Sequence, residues 1–368
     1  MAKHTYEDLI QMQSLPLDAK VRMTMQRIKG WIDEYGEDAV SVSFSGGKDS
    51  TVLMDIIRNK MGLKNIPAVF VDVPTQFPEL KSFALTWDNV IVLRPKTSFM
   101  DVCQKYGFPL VSKEASEDVS QARKWMKKNN VSSIEQLEEI PLQDIPHRLA
   151  SLLGKYEVDW GKKKKSGNFD GNLAKSFLQQ EKWKFLLEAD FEVSPMCCNV
   201  MKKKPIHEYE KETGRKQITA IMADESRLRL QNWLNHGCNG FDMKSPVSNP
   251  MSFWTEQDIL RYIKSENLPI CSVYGEVVID YEAMGELEGQ TFLFNTGDEP
   301  LKTTGCKRTG CMLCGFGCHL EKSPNRFEKL KETHPKMYNL LDICKNNGVT
   351  FREAIEWTNE HGNLNIRL

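Results

Sequence analysis

Apolar residues near the start of the chain recur at helical spacing and then give way to short β-rich runs. Residues 19–35 place apolar side chains on one face and stop at Gly36, which predicts an amphipathic helix. Three short β-rich runs follow, at residues 39–44, 67–73 and 89–93. Their β-branched and aromatic content and their flanking turn residues predict strands.

Helical spacing separates these three strands. Residues 52–61 and 78–87 have the periodicity of helices, and a later run at 217–222 predicts a further strand. Alternating strands and helices indicate a parallel sheet with right-handed crossovers. The sequence therefore predicts an α/β fold with a doubly wound, twisted parallel sheet between residues 36 and 235.

The pattern also predicts how the chain is divided. Residues 1–35 form an N-terminal helical segment, and residues 36–240 form the α/β domain, with a Lys- and Glu-rich helical insertion at about 114–190. Residues 241–368 form a C-terminal region whose segment 305–320 is rich in cysteine. A lysine run at 161–167 is either a solvated loop or a nucleic-acid contact.

Composition restricts the class of protein. Among 368 residues, 49 Lys and Arg face 50 Asp and Glu, so no global positive field holds the chain on nucleic acid. The sequence has no run of 18 apolar residues, and residues 1–8 lack the apolar stretch of a secretory signal. We therefore expect a cytoplasmic protein without a membrane partner. Ten cysteines in a reducing compartment then indicate metal or redox chemistry.

The first candidate site is Ser45-Gly46-Gly47-Lys48-Asp49-Ser50, between the first strand and a helix. Glycines let successive backbone N–H groups turn inward, and a helix N-terminus attracts anions. Ser45 and Ser50 add hydroxyls and Lys48 adds a cation, while Asp49 would pin the loop or hold Mg²⁺. The segment predicts a phosphate-binding loop, although its spacing differs from Walker A. The alternative is a surface turn that begins a helix.

The second candidate site is Cys306, Cys311, Cys314 and Cys318, with spacing C-x4-C-x2-C-x3-C. Closely spaced thiolates in a glycine-rich segment can converge on a metal centre. An iron–sulfur cluster, zinc and plain structural thiols all remain open on spacing alone. The other scattered cysteines are predicted to be packing residues: Cys103, Cys238, Cys271 and Cys344.

Four segments in order resemble one family. The Ser45–Ser50 loop is similar to the PP-loop of adenine nucleotide α-hydrolases, in the lysine variant of phosphoadenosine phosphosulfate (PAPS) reductases. Residues 71–79, 197–205 and 223–229 resemble further elements of those reductases, including an adjacent Cys-Cys pair. The chain is most like iron–sulfur PAPS-reductase-like proteins of phages and mobile elements.

The resemblance implies roles for particular residues. Nucleotide binding falls to the loop and to a carboxylate after the second strand: Ser45, Gly46, Gly47, Lys48, Asp49, Ser50 and Asp72. Catalytic roles fall to Lys48, Asp49 and Arg229. A [4Fe–4S] cluster would be held by Cys197, Cys198, Cys311 and Cys314, with Cys306 and Cys318 as reserves.

Two departures from the family influence the predicted function. Residues 363–368 lack the Glu-Cys-Gly-Leu-His nucleophile tail of assimilatory reductases, and Met222 stands where those enzymes have arginine. We therefore favour an ATP pyrophosphatase-type, adenylating enzyme that transfers sulfur, with nucleic-acid thiolation as one outcome and an external thiol or sulfur donor. The first alternative is a reductase of PAPS or adenosine phosphosulfate (APS) that releases sulfite. The second is a non-catalytic nucleotide-sensing subunit of a modification or defence complex.

Overall fold

A computed structural model describes residues 3–154, 180–283 and 299–368. Its strands are β1 (Val40–Ser43), β2 (Ala68–Val71), β3 (Val90–Leu93), β4 (Leu110–Val111), β5 (Lys216–Ile218), β6 (Asn239–Gly240), β7 (Val247–Ser248), β8 (Val277–Ile279), β9 (Leu301–Thr303), β10 (Gly315–Phe316), β11 (Lys345–Asn346) and β12 (Val349–Thr350).

The α-helices are α1 (Tyr6–Gln13), α2 (Leu17–Tyr35), α3 (Lys48–Asp55), α4 (Pro78–Ala84), α5 (Phe99–Tyr106), α6 (Lys113–Lys128), α7 (Ile134–Glu139), α8 (His147–Leu152), α9 (Met196–Cys198), α10 (Lys204–Thr213), α11 (Arg227–His236), α12 (Glu256–Ser265), α13 (Arg326–Thr333), α14 (Pro335–Tyr338), α15 (Leu340–Ile343) and α16 (Phe351–Gly362). Short π-helical turns at Ile56–Lys60 and Asn199–Lys203 follow α3 and α9. In the part of the chain that is described, no helix is both long and apolar enough to cross a membrane.

Six strands form one sheet in the order β3-β2-β1-β5-β7-β6. Neighbouring strands run parallel except β6, which pairs antiparallel with β7 at one edge. The predicted parallel pairing of the first two strands is therefore confirmed, with Val42 opposite Ala68. From β1 the chain builds β2 and β3 on one side and then returns to build β5 on the other. A switch of this kind leaves a crevice at the carboxyl ends of β1 and β5.

The sheet departs from the prediction at its far edge. It continues past residue 235 to β6 and β7, and the fourth predicted strand, 217–222, is shorter and spans Lys216–Ile218. After Ile218 the backbone N–H of Thr219 donates to Ser248, and the chain then turns through a 3-10 helix at Ala223–Glu225. This turn leads into α11 and takes the apolar residues 220–222 out of the sheet.

The described chain divides into two compact units, each assembled from two stretches. Unit 1 is Met1–Pro95 with Lys204–Gly310, and unit 2 is Lys96–Lys203 with Cys311–Leu368. Strands β5 and β7 return to the sheet of unit 1 after the insertion, and the predicted division at residue 240 stays a prediction. The predicted helix 19–35 is confirmed as α2, and it ends at Gly36, which has φ +87°.

Unit 1 has one large apolar core. Strand β1 is buried on both faces, and even Ser41 is enclosed, where its hydroxyl accepts a hydrogen bond from Gln217 Nε2 at 3.0 Å. Helices α2 and α12 pack on this core through Trp31 and Tyr262. The indole of Trp254 donates to Thr24 Oγ1 at 2.9 Å, which joins α2 to the segment before α12.

A buried ion pair also joins these two helices. Lys20 Nζ donates to Asp258 Oδ2 at 2.7 Å, and both side chains are less than a tenth exposed. The same oxygen accepts from the backbone N–H of Thr255, so this carboxylate also caps α12.

Lys20→Met is expected to reduce the free energy of unfolding by about 3–5 kcal/mol, because it leaves the Asp258 carboxylate buried without its cation. Urea unfolding followed by circular dichroism measures the change. Arg22→Ala, on the same helix, is the matched control, since Arg22 pairs with Asp18 at the exposed surface and should change stability by less than about 0.5 kcal/mol. Equal effects of the two substitutions would contradict a structural role for the buried pair.

Unit 2 contains the described part of the predicted helical insertion. Helices α6, α7 and α8 and a 3-10 helix at Glu181–Leu187 confirm its helical character, while the lysine run 161–167 lies outside the described residues. Phe108 hydrogen-bonds Glu192 and Ser194, and β4 pairs parallel with β10. The Phe108–Val111 segment therefore binds two cysteine-bearing stretches at once.

Candidate functional site

One residue, Phe44, separates β1 from the Ser45–Ser50 loop, which lies at the carboxyl edge of the sheet, as predicted. The backbone N–H of Gly47 donates to Ser45 Oγ at 3.3 Å, and the Ser45 and Ser50 hydroxyls lie 3.1 Å apart. Ser50 Oγ also donates to the carbonyl of Gly47 at 2.9 Å. These bonds hold the loop as a tight turn in front of α3, whose first backbone N–H groups face the same edge.

Gly46 shows why the loop requires glycine. Its φ of +71° lies in the left-handed region, and a Cβ there would be 2.8 Å from the carbonyl oxygen of Leu80. At Gly47 a Cβ would instead be 3.1 Å from Ser45 Oγ and 3.2 Å from the hydroxyl of Tyr274. The first glycine is thus demanded by the backbone, and the second keeps the space above the loop open.

Lys48 is the buried cation of the loop, only 3% exposed. Its Nζ donates to the carbonyl of Lys307 at 3.1 Å and lies 3.4 Å from Glu256 Oε1 and 3.7 Å from Asp49 Oδ1. The same Nζ lies over the ring of Tyr274, 5.6 Å from its centre. The lysine therefore has several weak partners in place, which a phosphate oxygen could replace.

Asp49 carries a buried oxygen suited to a ligand. Its Oδ1 has no hydrogen-bond partner within the described residues. Burial raises the pKa of Asp49, the charges of Lys48 and Arg308 oppose that rise, and Glu256 adds to it. Mg²⁺ is commonly bound by one or two carboxylates together with substrate phosphates, and this oxygen fits that role.

Two arginines, Arg308 and Arg229, interact electrostatically with the Asp49 carboxylate. Burial lowers the pKa of Arg229, the charge of Arg308 lowers it further, and Asp49 opposes both effects. Arg229 also forms a short ion pair with Glu225, one turn earlier. The structure thus brings Arg229, predicted from the sequence, to the same place as Lys48 and Asp49.

Asp72 follows β2 at the same edge of the sheet, as predicted. Its Oδ2 accepts from Lys81 Nζ at 2.7 Å and lies 3.3 Å from Arg94 Nε. Its partners are Lys81 and Arg94 and not residues of the Ser45–Ser50 loop, so its nucleotide-binding role stays a prediction.

Unit 2 brings together the four thiols that the family resemblance implies: Cys197, Cys198, Cys311 and Cys314. The Cys197 thiol hydrogen-bonds Cys198, and its pKa is also raised by the charges of Cys314 and Cys311. The pairing of β4 with β10 positions the later two cysteines, and the contacts of Phe108 position the earlier two. We call these residues the four-thiol group.

Basic side chains surround the four-thiol group. The hydrogen bond from Cys197, together with the charges of Lys113, Lys202 and Lys203, lowers the pKa of Cys198 to about 6 against the opposing effect of burial. Burial pulls the pKa of Lys202 down, but Cys311 and Cys198 outweigh it and raise that pKa. Burial raises the pKa of Cys314 to about 11. The basic surroundings therefore favour the negatively charged thiolate form in part of the four-thiol group.

The donor chemistry of the four-thiol group fits an iron–sulfur cluster, since four soft thiolates are the usual ligands of [4Fe–4S]. The positions of the sulfur atoms do not by themselves define a metal site. Across residues 3–154, 180–283 and 299–368, no three His, Cys, Asp or Glu side chains converge so as to hold a metal ion.

The two reserve cysteines belong to different units. Cys318 is buried in unit 2, where burial raises its pKa to about 12, and the charge of Cys314 acts on it. Cys306 lies in unit 1, where its backbone N–H donates to Val273. The four cysteines assigned to packing are confirmed as buried: Cys103, Cys238, Cys271 and Cys344.

Sequence reasoning missed several residues that line the loop: Glu256, Tyr274, Lys307, Arg308 and Thr309. Thr309 Oγ1 lies 2.7 Å from the Tyr274 hydroxyl. The basic pair Lys307-Arg308 is the sequence signal that indicates this side of the site.

Comparison with known proteins gives one family match. The family model described as "Phosphoadenosine phosphosulfate reductase domain" matches residues 39–142 and 163–315, more than half of the chain. No curated protein matches in sequence. Among solved structures, the chain is similar to phosphoadenylyl-sulfate (PAPS) reductase from Candida auris in its phosphate complex. That match has 13% identity and a TM-score of 0.30, and it covers 73% of this chain and 91% of the other.

Proposed function

Because this chain belongs to the phosphoadenosine phosphosulfate reductase domain family, we propose that it is an adenine-nucleotide enzyme of sulfur chemistry. The proposed enzyme is of the ATP pyrophosphatase type: it adenylates its substrate and couples this adenylation to sulfur transfer. The observation that carries the proposal is the Ser45–Ser50 loop at the switch point of the sheet, with Lys48, Asp49 and Arg229 gathered beside it.

The residues of the loop account for binding and charge neutralisation. Backbone N–H groups at the start of α3 and the hydroxyl of Ser45 would contact phosphate oxygens. Lys48 would exchange its carbonyl partner for a phosphate oxygen, and Arg229 would neutralise charge on the leaving pyrophosphate. Mg²⁺ held by Asp49 would supply further neutralisation when bound. In such a reaction the acceptor oxygen attacks the α-phosphorus, the bond to the bridging oxygen breaks, and pyrophosphate leaves.

The four-thiol group would hold the [4Fe–4S] cluster, which supplies a soft, sulfur-rich centre for sulfur transfer when bound. Lys202, hydrogen-bonded to Cys311, would offset the negative charge of the thiolates. The sulfur comes from an external thiol or sulfur donor. The proposed acceptor is a nucleic acid, or a substrate presented by proteins of a modification complex.

A second candidate is supported by the family match itself, which is named for PAPS reductase. In that reaction a thiolate attacks the sulfur of the sulfonucleotide, the sulfur–oxygen bond to phosphate breaks, and an adenosine phosphate leaves. A second, external thiol then displaces sulfite and forms a disulfide. Cys306, in the same unit as the loop, or an external thiol would be the nucleophile.

An anaerobic assay of the full chain with labelled ATP, PAPS and APS tests both candidates. We expect ATP to release pyrophosphate, and Lys48→Ala to slow this by about 100-fold or more, because a buried charge that stabilises the transition state is lost. Lys60→Ala, which breaks only an exposed pair with Glu266, is the control and should retain full activity.

The products decide between the alternatives. Sulfite from PAPS or APS without pyrophosphate from ATP would establish the reductase instead. Nucleotide binding with neither product would support a sensing subunit.

A further inference from the structure

The segment Lys307–Thr309 is held against the phosphate-binding loop on both sides of Arg308. The carbonyl of Lys307 accepts from Lys48 Nζ at 3.1 Å. Thr309 Oγ1 bonds the hydroxyl of Tyr274 at 2.7 Å, and that hydroxyl is 3.2 Å from where a Cβ on Gly47 would stand. Since Lys307 and Thr309 are both held at the loop, the backbone of Arg308 between them is also held beside the loop.

The positive charge of Arg308 influences charged groups beside the loop, but Arg308 is not paired there. It acts on both Asp49 and Arg229, so the two guanidinium groups lie close enough to repel each other. Arg308 is exposed, and its guanidinium forms no ion pair within the described part of the chain. Glu225 pairs with Arg229, and Asp49 is shared with Lys48, so among the described residues Arg308 has no carboxylate of its own.

Two like charges held together at a phosphate site are stabilised when an anion joins them. Guanidinium groups are planar forks that match phosphate oxygens, and their bonds to phosphate are among the stronger hydrogen bonds in proteins. The requirement is therefore for a ligand group with more than one negative charge.

We propose that Arg308 and Arg229 form a second anion subsite beside the Ser45–Ser50 loop, which takes a multiply charged phosphoryl group of the nucleotide. The proposal rests on the proposed function and makes it more specific. Two nucleotides offer this chemistry: the terminal phosphate of a triphosphate such as ATP, and the 3′-phosphate of PAPS.

Calorimetry with the full chain compares ATP and PAPS, which carry this group, with AMP and APS, which lack it. Arg308→Ala should weaken binding of ATP, or of PAPS, by about 10- to 100-fold, the value of about one charge-assisted hydrogen bond. Binding of AMP, or of APS, which lack the group, should change by less than about threefold. If only the affinity for ATP falls, the ligand of the subsite is a polyphosphate. If only the affinity for PAPS falls, the ligand is the 3′-phosphate.

Two variants control for charge and folding. Arg308→Lys keeps the charge but loses the fork, so it should fall between wild type and Arg308→Ala. Arg22→Ala, which removes an exposed arginine of α2, should leave all affinities unchanged. Equal weakening of ATP and AMP, or no weakening at all, would overturn the subsite while leaving the proposed function intact. Wild-type protein that binds none of these nucleotides would overturn both.

Discussion

Gly47→Ala is expected to weaken nucleotide binding by about 100-fold or more without unfolding the protein. A Cβ at this position would lie 3.1 Å from Ser45 Oγ, 3.2 Å from the Tyr274 hydroxyl and 3.6 Å from Thr309 Oγ1. It would fill the space through which phosphate oxygens reach the backbone N–H groups of the loop. Losing two or more charge-assisted hydrogen bonds, at about 1.5–3 kcal/mol each, accounts for the expected size.

Titration calorimetry with ATP and PAPS measures this loss, and thermal unfolding checks the fold. Gly47→Val should have at least as large an effect, since its side chain is bulkier. Gly30→Ala is a matched control: Gly30 lies in α2, and the nearest atom to a Cβ there is 3.9 Å away. Unchanged affinity in both Gly47 variants, with normal affinity in the control, would exclude the loop from the binding site.

The loop could be predicted because its signals are local. Strand, glycine turn and helix follow one another within a dozen residues, and each has its own pattern. The partners of Lys48 could not be predicted in this way. Its carbonyl acceptor, Lys307, is 259 residues distant in sequence, and only the folded chain brings the two together.

The same contrast applies within the sheet. The buried, β-rich runs of β1, β2 and β3 gave a clear strand signal, and their parallel pairing is confirmed. Strands β6 and β7 are two residues each, too short for any periodic pattern, so the edge of the sheet was missed. Likewise, β4 and β10, which position the cysteines of unit 2, have two residues each. The family resemblance supplied the cysteine set that pattern alone left open.

Cys311→Ala is expected to remove most of the iron from anaerobically purified protein, or to leave a cluster that oxygen destroys quickly. The wild-type protein should be brown and contain about four irons and four sulfides per chain, as expected for [4Fe–4S]. Cys311 is the thiol that is hydrogen-bonded to Lys202, and it lies within electrostatic range of Cys197 and Cys314. Removing one of four soft ligands leaves one iron open to solvent and oxygen.

Iron and sulfide analysis together with visible absorbance measures this outcome, and single substitutions sort the cysteines into two groups. Cys197→Ala, Cys198→Ala and Cys314→Ala should behave like Cys311→Ala, whereas Cys318→Ala should keep its iron. Cys238→Ala is the matched control, because Cys238 is a buried thiol of the unit 1 core and its loss should affect packing alone. If Cys311→Ala retains its full iron, or if the native metal is zinc, the ligand assignment and the proposed sulfur transfer are both wrong, while nucleotide binding at the Ser45–Ser50 loop would stand on its own evidence.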